Sequence, residues 1–154
     1  MDARTRTRAR APPACAAVLP RSAAPHACSD AAATAGVRVG PSSIPNAGQG
    51  VFASRELPKG VVLGAYAGER LTLAEMDARY PRGDARYVLD VRGVYLDAAD
   101  PAHSNWTRYI NSPHGTRLRA NVAFRGSGSV VTARRIRSGE ELLVSYGRCY
   151  LWAS

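Results

Sequence analysis

A chain of 154 residues with 45% hydrophobic content has room for one folded domain and little more. No stretch approaches the ~20 consecutive apolar residues of a membrane span, so no membrane-spanning segment is expected. The net charge of +9 is compatible with nucleic-acid contact through a basic surface, and equally with an arginine surface that only keeps the protein in solution.

Arg4, Arg6, Arg8, Arg10 and Arg21 lie in the first 35 residues beside only Asp2 and Asp30, which leaves 16 basic and 10 acidic side chains beyond them. The body therefore stays near +6, almost all of it guanidinium, since Lys59 is the only lysine. Cys15, Cys28 and Cys149 are too few and too scattered for a disulfide framework or a zinc cluster, which points to a reducing compartment and no structural metal.

Residues 1–35 are dominated by Ala, Arg, Pro and Ser and lack apolar periodicity. They read as a disordered segment, with a targeting peptide as the other reading; Pro12, Pro13, Pro20 and Pro25 would interrupt an amphipathic helix. From Val37 short β-like runs begin. Val51–Ala53, Val61–Tyr66, Tyr87–Val91, Val94–Leu96, Asn121–Phe124, Val130–Ala133 and Leu142–Tyr146 are the expected strands. Turn chemistry at Pro58-Lys59-Gly60, Arg92-Gly93, Gly126-Ser127-Gly128 and Ser138-Gly139 separates them. Thr72 and Glu75 form a capping box that predicts one helix, closed by Pro81. Ser104-Asn105 predicts the cap of a second, short helix carrying Trp106, Tyr109 and Ile110. Many short strands with few helices exclude a doubly wound parallel sheet.

Four segments carry candidate chemistry. Gly48-Gln49-Gly50 lets backbone groups approach a ligand closely, although alone it reads as a hairpin turn. Tyr66-Ala67-Gly68-Glu69 ends an apolar run, and Tyr66 alone reads as a core tyrosine before a turn. In Asn105-Trp106-Thr107-Arg108-Tyr109-Ile110-Asn111, Trp106 and Ile110 lie four apart, the spacing of one helical face turned to a core. Gly139-Glu140-Glu141-Leu142-Leu143-Val144-Ser145-Tyr146-Gly147 is a turn leading into a strand.

Taken in this order and spacing, the four segments resemble the SET domain, a family of S-adenosylmethionine-dependent protein-lysine methyltransferases. The Asn105–Asn111 run resembles the PR/SET (PRDM-type) subclass in particular. The resemblance implies a mostly β (α+β) fold, the SET β-clip of several short-stranded sheets around a knot-like core with few short helices. It assigns residues 36–150 to the domain and 151–154 to a short tail. By the same resemblance Tyr146 takes the catalytic position and Tyr66 walls the lysine channel. Gly48, Gln49, Gly50, Tyr87, Asn111 and Ser112 face the cofactor, and Arg108 braces the chain crossing beside it. Ser112 stands where most SET domains carry a histidine, which the PRDM subclass also lacks. Asn121 is the candidate for a second motif asparagine, and His103 and His114 read as exposed loop residues. Val144 stands where many relatives carry a Phe or Tyr that limits product methylation, and its smaller side chain hints at di- or trimethylation.

The implied activity is methyl transfer from S-adenosylmethionine to a protein lysine, possibly on a histone. A tyrosine suits such a site because a phenol of pKa ~10 can hold an amine by hydrogen bonding without competing as a nucleophile. Two other readings stay open: a degenerate SET fold that binds protein or nucleic acid without catalysis, and a basic adaptor that binds through its arginine-rich tail. Seven residues follow Gly147, with Tyr150 and Trp152 as candidates for an aromatic lid and no means for a zinc cluster. The expected compartment is nuclear, or organellar if residues 1–35 are a transit peptide.

Overall fold

The computed structural model describes residues 26–126 and 128–146. An opening helix, α1 (His26–Ala35), leads into β1 (Val37–Pro41) and β2 (Gln49–Ala53). Next come β3 (Val62–Ala65), β4 (Glu69–Leu71), α2 (Leu73–Arg79), β5 (Val88–Val91) and β6 (Val94–Asp97). Two 3-10 turns, Pro101–His103 and Trp106–Tyr109, precede β7 (Val122–Arg125) and β8 (Ser129–Thr132). The strands form three small antiparallel sheets, ordered β1-β2, β3-β8-β7 and β4-β6-β5. This is the mostly β architecture that the sequence predicts.

Helix α1 corrects the expectation of disorder through residue 35. Its alanine-rich sequence has high intrinsic helix propensity. Ala32, 2% exposed, joins the core, and the helix packs on β1 and on the turn Trp106–Tyr109. Gly36, at φ +74°, supplies the left-handed residue that ends it and turns the chain into β1. The predicted capping box is present: the Glu75 amide donates to Thr72 Oγ1, and the Thr72 amide donates to Glu75 Oε2 at 2.7 Å. The Arg92-Gly93 turn joins β5 to β6 with positive φ at both residues, as a tight type I′ hairpin needs.

The second predicted helix is a 3-10 turn instead. Asn105 caps it, accepting from the Thr107 amide at 3.0 Å, and four residues are too few to complete an α-helix. Trp106 and Ile110 are both 2% exposed and pack with Val51, Leu63, Val122, Val130 and Leu142 in the core. An added Cβ on Gly64 would come within 3.2 Å of the Trp106 ring, so the glycine lets β3 lie directly on the indole.

The expected strand at Leu142–Tyr146 forms only single bridges, because the segment passes between several partners rather than along one. Glu141 bridges Phe52, Leu143 bridges Asn111 and Val144 bridges Val122. This crossing is the knot-like centre of the fold. Val144, 2% exposed, is a core residue there, so its side chain is not presented to an open channel as the product-methylation hint requires.

Candidate active site

Three of the four motif segments meet at the outer edge of β2. The Ser42 amide donates to the Gly48 carbonyl at 2.9 Å, which makes the next pair, Pro41 and Gln49, the non-bonded pair of the β1–β2 ladder. The peptide groups of residues 49, 51 and 53 therefore face away from β1. Ala53 N–H donates to Glu140 O at 2.9 Å, and Val51 O accepts from Leu142 N–H at 2.7 Å. Gln49 O accepts from Asn111 Nδ2 at 2.8 Å. The Gly48–Gly50 strand is thus gripped on one side by β1 and on the other by the C-terminal segment and Asn111.

Glu141 fixes that junction. Only 6% exposed, its carboxylate accepts from Ser42 Oγ at 2.7 Å, from the Ser43 amide at 2.8 Å and from Ser43 Oγ. Asn111 Nδ2 lies 3.4 Å from the same carboxylate. Burial alone would raise its pKa; the bonds from Ser43, Ser42 and Asn111 outweigh it and hold the carboxyl below the ordinary glutamate value. Gly50 is needed here for space rather than for backbone conformation, since a Cβ would sit 2.3 Å from Glu141 Oε1. Nothing local in the Gly139–Gly147 motif marks Glu141 as an organiser, because its partners Ser42 and Ser43 lie far away in sequence.

Asn121, 1% exposed, works in the same crossing. Its Nδ2 donates to Glu141 O at 2.7 Å and its Oδ1 accepts from Leu143 N–H at 2.8 Å. Both ends of the carboxamide are spent on backbone, so Asn121 holds the crossing together. Arg108 was expected to brace that crossing, and it reaches elsewhere. Its Nη2 donates to Ala99 O at 3.0 Å, and its guanidinium lies 4.5 Å from the Tyr87 ring centre and 5.2 Å from that of Tyr109.

Tyr66 and Tyr87 belong to this second group. Tyr66 Oη donates to Tyr87 O at 2.8 Å, and its ring meets Phe124 edge-on at 5.5 Å. Tyr87 sits just before β5, and its carbonyl also accepts from Ala98 N–H. Among the described residues, no contact joins Tyr87 to Gly48–Gly50. Arg108 Nε and Ser104 Oγ are buried polar atoms without a hydrogen-bond partner among the described residues.

The stretch Asn105–Asn111 joins the two groups. Asn105 Nδ2 donates to Ala65 O at 3.0 Å, directly before Tyr66. Arg108 reaches Tyr87, Asn111 grips Gln49, and Ile110 O accepts from Tyr146 Oη at 2.6 Å. Tyr146 as a whole is 37% exposed. Ser112 is half-buried in the following loop, its Oγ accepting weakly from the His114 amide at 3.4 Å. His103 pairs with Asp100 at the surface and His114 is exposed. Tyr150 and Trp152, the expected lid, lie outside the described residues. Among the described residues no cluster of His, Cys, Asp or Glu suits a metal ion, and no helix is long and apolar enough to cross a membrane.

The family described as PR domain zinc finger protein 2, PR domain, matches residues 37–153. The Caenorhabditis elegans histone-lysine N-methyltransferase set-17 is 37% identical over 116 residues, covering 73% of this chain and 41% of that protein. The chain spans well under half the length of the curated relatives it matches. The methyltransferase domain of human PR domain-containing protein 2 superposes with a TM-score of 0.62 at 23% identity, covering 93% of both chains. An autoinhibited polycomb repressive complex 2 chain bound to S-adenosylmethionine gives 0.58 at 24% identity, over 72% of this chain and 15% of that one. With the family match running through nearly all of the β-rich body and its crossing, the chain belongs to the PR-domain branch of the SET family.

Proposed function

We propose that this protein transfers a methyl group from S-adenosylmethionine to the side-chain amine of a protein lysine, with a histone as the first substrate to test. The observation that carries the reading is that the Asn105–Asn111 stretch touches the chain at or directly beside each of the other three motif segments. The printed activity of the set-17 relative and the cofactor in the polycomb structure support it.

The residues present fit the amino-acid end of that cofactor. An ammonium needs acceptors and a carboxylate needs donors. Asn111 Oδ1 has no donor among the described residues, and Gly48 and Gln49 expose backbone beside it. Gly48, Gln49, Gly50, Asn111 and Ser112 would hold the cofactor, with Tyr87 and Arg108 bracing the turn behind it. The cofactor supplies an already electrophilic sulfonium methyl, so the protein has mainly to align an uncharged amine and exclude water.

Tyr146 gives its proton to Ile110 O, so toward an incoming amine its phenol oxygen acts as an acceptor. An amine N–H held there would leave the nitrogen lone pair free for the methyl that the cofactor would supply. Tyr66, whose proton goes to Tyr87 O, offers the channel wall the same acceptor character. The reaction needs neutral amine, so turnover rises with pH until the bound lysine has titrated.

The test is methyl incorporation from labelled S-adenosylmethionine into core histones by the full chain, with the modified lysine located by mass spectrometry. Label that disappears in Tyr146→Phe supports the reading. Unlabelled histones, with a folded chain that does bind the cofactor, would turn the assignment toward another protein substrate.

A further inference from the structure

Outside the site, a basic ribbon lies on the loop that feeds the C-terminal segment. Leu57 and Ile136 pair antiparallel through two 2.9 Å backbone hydrogen bonds, and both side chains are fully buried. Side chains alternate along an extended chain, so the immediate neighbours Glu56, Pro58, Arg135 and Arg137 turn outward. Arg55 and Lys59 on one of the two paired segments, and Arg134, Arg135 and Arg137 on the other, are all exposed. Glu56 pairs with Arg135 and Glu140 with Arg134, and no carboxylate among the described residues lies within ion-pairing distance of Arg137. Five cations against two anions leave the ribbon at about +3. Arg134, Arg135, Arg137 and Glu140 line an open depression of about 470 Å³.

We propose that this ribbon is a docking surface for the phosphate backbone of double-stranded DNA. Four observations favour that partner. The depression is lined by charged side chains alone, without the aromatic or apolar anchor around which protein interfaces concentrate their affinity. It offers no aromatic platform for unstacked bases, which single-stranded nucleic acid exploits. Its cations are guanidiniums, whose planar forks match phosphate oxygens, and the two that are ion-paired keep further N–H donors. The supporting backbone is pinned, with Gly139 N–H on Ala53 O at 2.8 Å and Glu140 N–H on Arg137 O at 3.1 Å, so docking does not have to order the loop. The choice of DNA over RNA rests on the proposed histone substrate, which is packaged with DNA; the cationic geometry stands apart from it. Contacts of this kind position a protein without reading sequence.

The experiment measures binding rather than turnover, so its outcome is separate from that of the methyl-transfer reading. Changing Arg4, Arg6, Arg8, Arg10 and Arg21 of the chain to alanine removes the competing charge of the tail. The affinity of that chain for a labelled duplex of arbitrary sequence is read by fluorescence anisotropy across a salt series. The ribbon predicts saturable binding whose logarithmic salt slope becomes shallower by about 0.9 in Arg137→Ala and by about 2.7 when Arg134 and Arg135 are also replaced. Near 100 mM salt the single change weakens binding roughly tenfold. Arg137→Ala breaks no ion pair and spares the fold, which circular dichroism verifies. Absence of binding in the tail-neutralised chain, or an unchanged slope in both variants, overturns the proposal. Tighter binding to duplex RNA, or equally effective competition by a poly-glutamate peptide, overturns the assignment to DNA.

Discussion

The two halves of the candidate site are held in opposite ways. At the Gly48–Gly50 strand, Glu141 is buried and saturated, taking donors from Ser42, Ser43 and Asn111, while Asn121 spends both ends of its amide on the neighbouring backbone. At the Tyr66–Tyr87 side, Arg108 is held by two aromatic faces and one carbonyl, and its Nε and the nearby Ser104 Oγ stay unsatisfied. A saturated centre makes a fixed wall. Unspent polar atoms, each costing about 1–3 kcal/mol when buried without a partner, mark the place where a bound group repays the debt. The first half is read as the rigid wall against which the cofactor lies and the second as the part of the site that stays receptive.

The largest expected effect breaks the chemistry and leaves both halves intact. Tyr146→Phe lowers methyl transfer by roughly 100-fold or more while cofactor affinity stays within about twofold, because it removes the contact to the amine and the bond to Ile110 O but keeps the ring. Steady-state kinetics beside a binding titration separate the two; equal losses in both would remove Tyr146 from the chemical step.

Breaking the saturated half comes next. Glu141→Ala strands the donors of Ser42, Ser43 and Asn111 and lowers stability by about 3 kcal/mol, measured by denaturant unfolding. Glu141→Gln sharpens the point through pH. The folded carboxyl titrates below the unfolded one, so its stabilisation is complete above the ordinary glutamate range and is lost as pH falls through the lower folded value. Wild type should therefore lose stability on acidification more steeply than the Gln variant, and parallel curves would dismiss the carboxylate latch.

The receptive half predicts the smallest effect. Ser104→Ala removes an unsatisfied hydroxyl, so stability changes by less than about 0.5 kcal/mol or rises. A loss above about 2 kcal/mol would show that the hydroxyl is already satisfied and that this side is not receptive.

What could be read from the chain follows from how local each signal is. The Thr72–Glu75 box and the Arg92-Gly93 hairpin are encoded within four residues, and both stand where expected. Trp106 and Ile110 were legible as core from their spacing alone. Strand β4 was not, because Glu69-Arg70-Leu71 offers one apolar residue and exists through its pairing with β6. Helix α1 was hidden because its burial rests on Ala32, a residue too small to make an apolar pattern. Glu140 and Glu141 look alike in sequence. Only the crossing separates them, placing one beside Arg134 and the other against Ser42 and Ser43, nearly a hundred residues away.

The most direct test of the central claim is calorimetric titration of the full chain with S-adenosylmethionine, wild type against Gly50→Ala. The Cβ would displace the Glu141 carboxylate and with it the Asn111 amide, so saturable micromolar binding by wild type should weaken at least tenfold in the variant. A folded wild type that takes up no cofactor, or a variant that binds as well, would contradict the assignment of the Gly48–Gly50 strand and Asn111 to the cofactor site.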